Sequence, residues 1–196
     1  MTFEEIKAVL GNKKVGIAGC GGLGSNCAVA LARVGVGTLV IADFDVITEG
    51  NLNRQYYFHD QVGQKKAPAL KANISRINLQ INVIDHDLMI TRGNIPALFT
   101  GCDVIVEAFD LAEEKRMLIE TMLDEFPDIP LVVGLGMAGW GNNETIHYRK
   151  FDNIHICGDE TSEIGPDCPP LAPRVGIVAN MQANVVIEIL LRQGNE

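Results

Sequence analysis

Residues 15–26 read Val-Gly-Ile-Ala-Gly-Cys-Gly-Gly-Leu-Gly-Ser-Asn, a glycine-rich turn between a short apolar run and a segment rich in Ala, Val and Leu. Gly19, Gly21 and Gly24 fit the pattern G-x-G-x-x-G, which allows a tight turn, close approach of the backbone to phosphate, and close packing of helix on strand. A helix that begins near Gly22 offers unpaired N–H groups and a positive dipole end to an anion. The stretch predicts a nucleotide-binding turn; a glycine turn that serves packing alone is the alternative.

Around this turn, short apolar runs alternate with segments of helical periodicity as far as residue 134. This alternation indicates βαβ units and a mostly parallel sheet. We therefore predict one α/β domain over residues 1–196, with a Rossmann-like, doubly wound, mostly parallel sheet and an antiparallel C-terminal extension. The predicted strands are 13–19, 38–43, 81–85, 103–107, 130–134 and 143–150, an irregular acidic loop covers 152–172, and the predicted helices are 2–10, 22–36, 64–77, 92–99, 111–125 and 174–192.

Composition narrows the class of protein. The chain has 196 residues, of which 47% are apolar and 21% charged, as is usual for a soluble globular domain. No apolar run approaches the roughly 18 residues of a membrane helix, and the N-terminus carries acids where a signal peptide carries Lys or Arg. We therefore expect a cytoplasmic protein without a membrane span. The net charge of −9 argues against broad nucleic-acid binding.

The five cysteines are irregularly spaced and include no Cys-x-x-Cys pair. A structural zinc site of the usual kind is therefore not expected. In a reducing compartment the cysteines are most simply free thiols, and we interpret Cys20 and Cys27, near the glycine turn, as small packing residues.

Two acids follow the second predicted strand. Asp43 comes about twenty residues after the glycines, where an acid hydrogen-bonds a ribose hydroxyl in nucleotide-binding folds; a capping aspartate is the alternative. For Asp45 two roles are open, since it could orient Arg54 or cap a turn.

Four polar residues between positions 51 and 66 carry either a positive charge or a side-chain amide. Arginine presents a planar fork to phosphate oxygens and lysine a mobile point charge, and the carboxyl edge of a parallel sheet faces the ligand. As a set beside a phosphate turn they favour phosphate binding, although each alone would be an ordinary surface residue. They are Asn51, Arg54, Gln55 and Lys66.

Asp110 follows the predicted strand 103–107. A carboxylate at this strand end suits Mg²⁺, which prefers carboxylate and phosphate oxygens. The alternative is an N-cap for the helix that begins near Leu111, and the two roles are compatible. An NAD-dependent oxidoreductase would explain the glycines and Asp43 but not residues 51–66, so the pattern points to chemistry on ATP.

These stretches make the chain similar to the ThiF/MoeB/HesA family, relatives of the ubiquitin-activating enzymes, and in particular to a compact ThiF-like branch. The element Asn-Leu-x-Arg-Gln in this register is specific, whereas the glycine turn alone is weak. The matching stretches are 19–25, 43–45, 51–55, 62–66 and 172–183.

The resemblance implies an adenylyltransferase that uses ATP and Mg²⁺. Its substrate would be the C-terminal carboxylate of a small ubiquitin-like sulfur-carrier protein ending in Gly-Gly, such as ThiS, in thiamine or related sulfur-transfer biosynthesis. A homodimer is also implied. On the matching positions, Asp43 would hold the ribose, Asp110 would bind Mg²⁺, and Lys66, rather than Lys65, would be the family lysine. Asn51, Arg54, Gln55 and Lys66 would engage the phosphates, so Arg54, Lys66 and Asp110 are the predicted catalytic residues.

The chain also departs from the family pattern. Zinc-binding Cys-x-x-Cys pairs are missing, and no arginine precedes Arg33, although many members use an N-terminal arginine to reach the partner subunit's phosphate. Lys13 and Lys14 are weak substitutes. A reactive family cysteine usually precedes the last helix, which makes Cys157 and Cys168 the candidate thiols.

A low thiol pKa needs a nearby cation, and Arg174 could supply one to Cys168; unreactive thiols are the alternative. Two further hypotheses stay open: a sibling enzyme that adenylates a carboxylate on a modified tRNA nucleoside, and a non-catalytic, dimerising scaffold that keeps the nucleotide-binding fold.

Overall fold

The computed structural model describes residues 1–193, and within them seven strands form one sheet with helices on both faces. The strands are β1 (Lys14–Ala18), β2 (Thr38–Ala42), β3 (Asn82–His86), β4 (Val104–Glu107), β5 (Leu131–Gly134), β6 (His147–Phe151) and β7 (Ile154–Gly158). The α-helices are α1 (Phe3–Leu10), α2 (Gly22–Val34), α3 (Lys66–Ser75), α4 (Ile95–Phe99), α5 (Ala112–Glu125) and α6 (Ala172–Gln193).

The strand order is β3-β2-β1-β4-β5-β7-β6, and only the β6–β7 pair is antiparallel within residues 1–193. From β1 the chain winds outward to β2 and β3, and then returns to β4 on the other side of β1. The order therefore reverses between β1 and β4, and ligands bind at such a switch point in doubly wound folds. The predicted Rossmann-like sheet with an antiparallel C-terminal extension is confirmed.

The prediction of an irregular loop over 152–172 is wrong for β7. This strand lies parallel to β5 and inserts between β5 and the edge strand β6. It has only five residues and directly precedes an acidic loop, so its short alternation of buried and half-buried side chains did not stand out. The strand predicted at 143–150 begins at His147, after a 3₁₀ turn at Asn143–Thr145.

Alternate faces of the sheet pack into two apolar layers. Val15 and Ile17 of β1 face a layer built from α2, α3 and α6, whereas Ala18 faces the layer of α4 and α5. By length and composition alone, α6 could also cross a membrane, with 22 residues and a mean hydropathy of 1.4 over its most apolar window. Half of that window is buried inside the fold, and one helix of this kind is weak evidence for a membrane span.

Gly24 sets how closely α2 approaches β1. A Cβ atom at this position would lie 1.9 Å from the carbonyl oxygen of Gly19, which itself has a φ of +97°. A side chain at Gly24 would therefore push α2 away from the turn, and a side chain at Gly19 would strain the turn itself.

A buried ion pair fixes the segment between β7 and α6. Arg174, in the first turn of α6, places Nη2 2.6 Å from Oδ2 of Asp159, and both side chains are almost completely buried. The other carboxylate oxygen accepts backbone N–H groups from Thr161 and Ser162 at 2.8 and 2.7 Å. Burial alone would raise the pKa of Asp159, but these hydrogen bonds and Arg174 outweigh it and hold the pKa well below its usual range.

We expect Gly24→Ala to lower the free energy of unfolding by roughly 1–3 kcal/mol or more, because the new methyl group overlaps a backbone carbonyl. Gly176→Ala is the matched control. Gly176 lies inside α6 with open space around a Cβ atom, so alanine there should raise the unfolding free energy by about 0.5–1 kcal/mol. Chemical denaturation of both variants measures the two changes, and equal stabilities would contradict the close contact.

A second prediction concerns pH. Because the folded pKa of Asp159 is depressed, its stabilising contribution is present above the unfolded pKa of about 3.9 and is lost as the pH falls below it. Asp159→Asn should therefore weaken stability at pH 7 and flatten the loss of stability between about pH 5 and pH 2. Urea melts across this range test it, with the exposed Asp128→Asn as the control. An unchanged slope in Asp159→Asn would show that Asp159 is not the group responsible.

Candidate functional site

A cavity of about 800 Å³ lies at the carboxyl ends of β1, β2 and β4, at the switch point of the sheet. Its walls come from the glycine turn, the segment after β2, the β4–α5 turn and the acidic loop before α6. Of the predicted site residues, those on the wall are Gly19, Gly21, Gly22, Asp43, Asp45, Arg54, Gln55, Lys66 and Asp110.

The glycine turn presents the start of α2 to this cavity. Gly21 is the N-cap of α2 and has no side chain to occupy the first N–H groups of the helix. These donors and the positive end of the helix dipole are therefore available to an anion. Gly24 is not on the cavity wall; it serves the packing of α2 on the turn.

Asp43 links the end of β2 to the glycine turn. Its Oδ2 accepts the N–H of Cys20 at 2.7 Å, and its Oδ1 accepts the N–H of Asp45 at 2.8 Å. Burial raises the pKa of Asp43, although Lys66 and the two N–H groups oppose that shift. The carboxylate is thus fixed at the cavity wall, where the sequence predicts the ribose-binding acid.

Lys66 is paired with Asp45 across the cavity wall. Its Nζ lies 2.6 Å from Oδ2 of Asp45, and its side chain is only 7% exposed. The adjacent Lys65 instead pairs with Asp87 at 3.0 Å and is not among the cavity-lining residues in the described chain. The structure therefore places Lys66, and not Lys65, in the site.

Asp45 does not orient Arg54, contrary to one of its two predicted roles. The Nη1 of Arg54 donates to the carbonyl of Gly50 at 3.0 Å and to Oδ1 of Asn53 at 2.8 Å. The guanidinium is therefore held by neutral acceptors beside the glycine turn.

Asn51 and Gln55 occupy different surroundings. Oδ1 of Asn51 accepts the N–H of Thr48 at 3.0 Å and closes a 3₁₀ turn, and Asn51 is outside the set of residues 1–193 that line the cavity. Its predicted phosphate contact is not reproduced by this geometry. Gln55 is 92% buried on the cavity wall, and its Oε1 has no hydrogen-bond partner within residues 1–193. A buried unpaired amide oxygen is costly, which makes Gln55 a candidate ligand contact; because this oxygen is an acceptor, it suits a ligand hydroxyl or amine rather than the predicted phosphate oxygen.

Asp110 lies on the cavity wall, in the turn between β4 and α5. The alternative role as N-cap of α5 is wrong, because the N-cap is Leu111. Its neighbourhood is acidic: burial raises the pKa of Glu114, and Asp110, Asp45 and Asp43 add to that shift. Within residues 1–193 no group of three or more His, Cys, Asp or Glu side chains is arranged to hold a metal.

The sequence did not point to Glu107, Lys115 or Tyr57. Nζ of Lys115 lies 2.9 Å from Oε2 of the fully buried Glu107, and Lys115 also lines the cavity. The hydroxyl of Tyr57 donates to the carbonyl of Cys20 at 2.8 Å and so fixes the glycine turn from below. A glutamate that ends an otherwise apolar strand was the available signal for the first pair.

The structure places the cysteines in different surroundings. Cys157 lies in β7 rather than in a loop, and burial raises its pKa to about 12, which leaves an inert thiol. Cys168 is in the loop and half-buried, and the guanidinium of Arg174 is bonded to Asp159 and to the carbonyl of Gly141. Cys20 and Cys27 are completely buried in the core, as predicted.

Lys13 and Lys14 lie at the amino end of β1, at the opposite edge of the sheet from the cavity. Lys13 pairs with Asp103 at 3.5 Å, and Lys14 donates to the carbonyl of Thr100 at 2.8 Å. Neither can reach the phosphate side of its own cavity.

Comparison with known proteins shows what the whole chain is similar to. The chain is 30% identical to the adenylyltransferase and sulfurtransferase MOCS3 of Caenorhabditis briggsae over 92% of its own length, and spans less than half (46%) of that protein. It is 31% identical to the SAMP-activating enzyme E1 of Haloferax volcanii, over 93% of this chain and 69% of that one. Its fold matches that of the tRNA N6-threonylcarbamoyladenosine dehydratase of Escherichia coli in complex with ATP, with a TM-score of 0.88 and 20% identity, over 98% and 91% of the two chains.

The model of the ThiF family matches residues 2–196, which is almost the entire sequence. The chain therefore belongs to the ThiF family.

Proposed function

We propose that this protein uses ATP to adenylate the C-terminal carboxylate of a small ubiquitin-like sulfur carrier that ends in Gly-Gly. The observation that carries the proposal is the cavity in which the uncapped start of α2, Arg54, Lys66 and the unpaired amide of Gln55 converge. The family and the names of two relatives, an adenylyltransferase and an activating enzyme, support the same reaction. A ThiS-like carrier in thiamine or related sulfur-transfer biosynthesis is the specific form of the proposal.

The site residues suit ATP in both charge and shape. The N–H groups at the start of α2, together with Arg54 and Lys66, can donate hydrogen bonds to phosphate oxygens. Asp43 is fixed at the strand end where a ribose hydroxyl would bind. Asn51 is left out of this set, because its side chain closes a local turn.

The reaction needs little covalent help from the protein. An oxygen of the substrate carboxylate attacks the α-phosphorus, the bond between that phosphorus and the bridging oxygen of the β-phosphate breaks, and pyrophosphate leaves. Because the carboxylate is already ionised near neutral pH, no general base is required. The contribution of Arg54 and Lys66 is to position the phosphates and neutralise charge that develops on pyrophosphate.

Asp110 is the residue that would hold Mg²⁺. Mg²⁺ is commonly bound through one or two carboxylates together with substrate phosphates, so a single carboxylate on the cavity wall fits this requirement. When bound, the ion supplies further neutralisation of phosphate charge.

A second candidate substrate is a carboxylate on a modified tRNA nucleoside. The fold likeness to the tRNA N6-threonylcarbamoyladenosine dehydratase favours it, whereas the net charge of −9 opposes binding of a polyanion. We therefore propose the carrier protein as the substrate. We also propose that the enzyme is a cytoplasmic homodimer, and light scattering would test its assembly.

We expect ATP–pyrophosphate exchange that depends on a Gly-Gly-ending carrier and disappears when the terminal glycine is deleted, because the attacking group is the C-terminal carboxylate. The measurement is incorporation of labelled pyrophosphate into ATP. Exchange with the tRNA substrate alone would reassign the substrate. Tight NAD binding without exchange would indicate an oxidoreductase, and tight ATP binding without any exchange would indicate a non-catalytic scaffold.

Lys66→Ala should lower kcat/KM for ATP in this assay by about 10²–10³-fold, the usual loss when one preorganised charge contact is removed. Lys65→Ala is the matched control, since Lys65 is the adjacent lysine but pairs with Asp87 outside the cavity. It should stay within a few-fold of wild type. Equal effects of the two substitutions would contradict the placement of Lys66 at the phosphates.

A further inference from the structure

A buried carboxylate organises the turn that carries Asp110. Glu107 is the last residue of β4 and is completely buried. Its Oε1 accepts the backbone N–H of Phe109 at 2.7 Å, and Lys115 donates to both carboxylate oxygens, at 3.0 and 2.9 Å. The carboxylate therefore connects the end of β4, the residue before Asp110, and the second turn of α5.

The ammonium group of Lys115 has a complete set of partners. A lysine has three N–H donors, and here they are matched by the two oxygens of Glu107 and by the carbonyl of Gly134 at 3.0 Å, at the end of β5. Lys115 lines the cavity, yet in this arrangement it has no donor to spare for a phosphate. Its contacts tie α5 to two neighbouring strands instead.

Other contacts fix the two ends of this turn: the N–H of Ala108 donates to the carbonyl of Ala18 at 2.9 Å, and the carbonyl of Leu111 accepts the N–H of Lys115 at 3.1 Å. Leu111, the N-cap of α5, makes no side-chain capping bond within the described residues. Buried ion pairs are also weak stabilisers, because the loss of hydration offsets most of the attraction. The buried pair is therefore better explained by the geometry it imposes on residues 108–111 than by stability.

We propose that Glu107 and Lys115 are positioning residues that hold the β4–α5 turn so that the carboxylate of Asp110 faces the phosphate side of the cavity. The inference deepens the proposed function and rests on it, since the purpose assigned to Asp110 is to bind Mg²⁺ beside ATP. Neither residue is assigned a direct contact with substrate.

The first test measures amide hydrogen exchange at residues 108–112 in the ligand-free protein. Lys115→Met removes the charge and keeps much of the side-chain length. It should speed exchange of the Phe109 amide at least tenfold while amides in β1 keep their protection. Lys71→Met is the control, because Lys71 forms a comparable contact of 2.7 Å with Asp85 on the exposed surface. Unchanged exchange at Phe109 in both Lys115→Met and Glu107→Gln would overturn the proposal.

The second test uses the Mg²⁺ dependence of ATP–pyrophosphate exchange. Lys115→Met should raise the Mg²⁺ concentration at half-maximal rate about tenfold with little change in KM for ATP at saturating Mg²⁺, and Lys115→Arg should restore part of the loss. In an Asp110→Asn background, Lys115→Met should add little, since both act through one group. Additive losses, or a raised KM for ATP at all Mg²⁺ concentrations, would assign Lys115 to the phosphates and overturn the proposal.

The two tests separate the two proposals. If the wild-type protein shows no ATP–pyrophosphate exchange with any substrate, the proposed function is wrong. Amide hydrogen exchange would still decide whether the turn depends on the Glu107–Lys115 pair. If Lys115→Met does not fold, Glu107→Gln answers the same question, because it keeps the side-chain shape and weakens both the Phe109 and the Lys115 contacts.

Discussion

The contact of Gly24 with the carbonyl of Gly19 is the constraint on which the site depends, because it lets α2 begin directly beneath the cavity. From that position, the hydroxyl of Ser25 accepts the N–H of Tyr56 at 3.0 Å, and Nδ2 of Asn26 donates to the carbonyl of Arg54 at 2.9 Å. Ser25 and Asn26 of α2 thus fix the backbone of the segment that carries Arg54 and Gln55. The residues proposed to bind phosphate come from two distant parts of the sequence, and one close approach of a helix to a strand positions both.

Charge at the site is organised in pairs. Lys66 is joined to Asp45 and Lys115 to Glu107, so two of the three cations on the cavity wall already have a carboxylate partner. A buried cation without such a partner would pay a large desolvation cost or lose its proton. Under the proposed function, ATP would therefore meet a cavity with little excess positive charge, and Lys66 would share its proton donors between Asp45 and phosphate.

The sequence identified cavity residues whose position follows from local pattern. Gly21, Asp43 and Lys66 each follow a strand or open a helix, and parallel strands bring such positions to one edge of the sheet. The sequence was less informative where a side chain has several possible partners nearby. Asn51 accepts a hydrogen bond that closes a turn with Thr48, and Asp45 pairs with Lys66 rather than with Arg54.

The Glu107–Lys115 pair shows a further limit of sequence. Its meaning depends on how α5 folds back over the ends of β4 and β5, and the spacing of eight residues does not reveal that geometry. Similarly, β7 is defined by its pairing with β5, and its five residues offer too short a pattern to predict a strand.

The lysines of the N-terminal segment lie away from the cavity. Lys13 and Lys14 are held at the amino end of β1, and the stem of Lys7 packs where a Cβ atom of Gly35 would be, at the far end of α2 from the cavity. Within one chain, the lysines of residues 1–14 therefore do not lie at the cavity.

The cavity cations differ in their partners. Lys115 and Lys66 are each paired with a carboxylate, whereas Arg54 is the cavity cation in the described chain whose partners are neutral. A triphosphate bound there would still carry excess negative charge next to Asp43, Asp45 and Asp110. The divalent ion that we propose for Asp110 would offset that imbalance, and under this proposal a turn that fixes the direction of one carboxylate would influence the whole site.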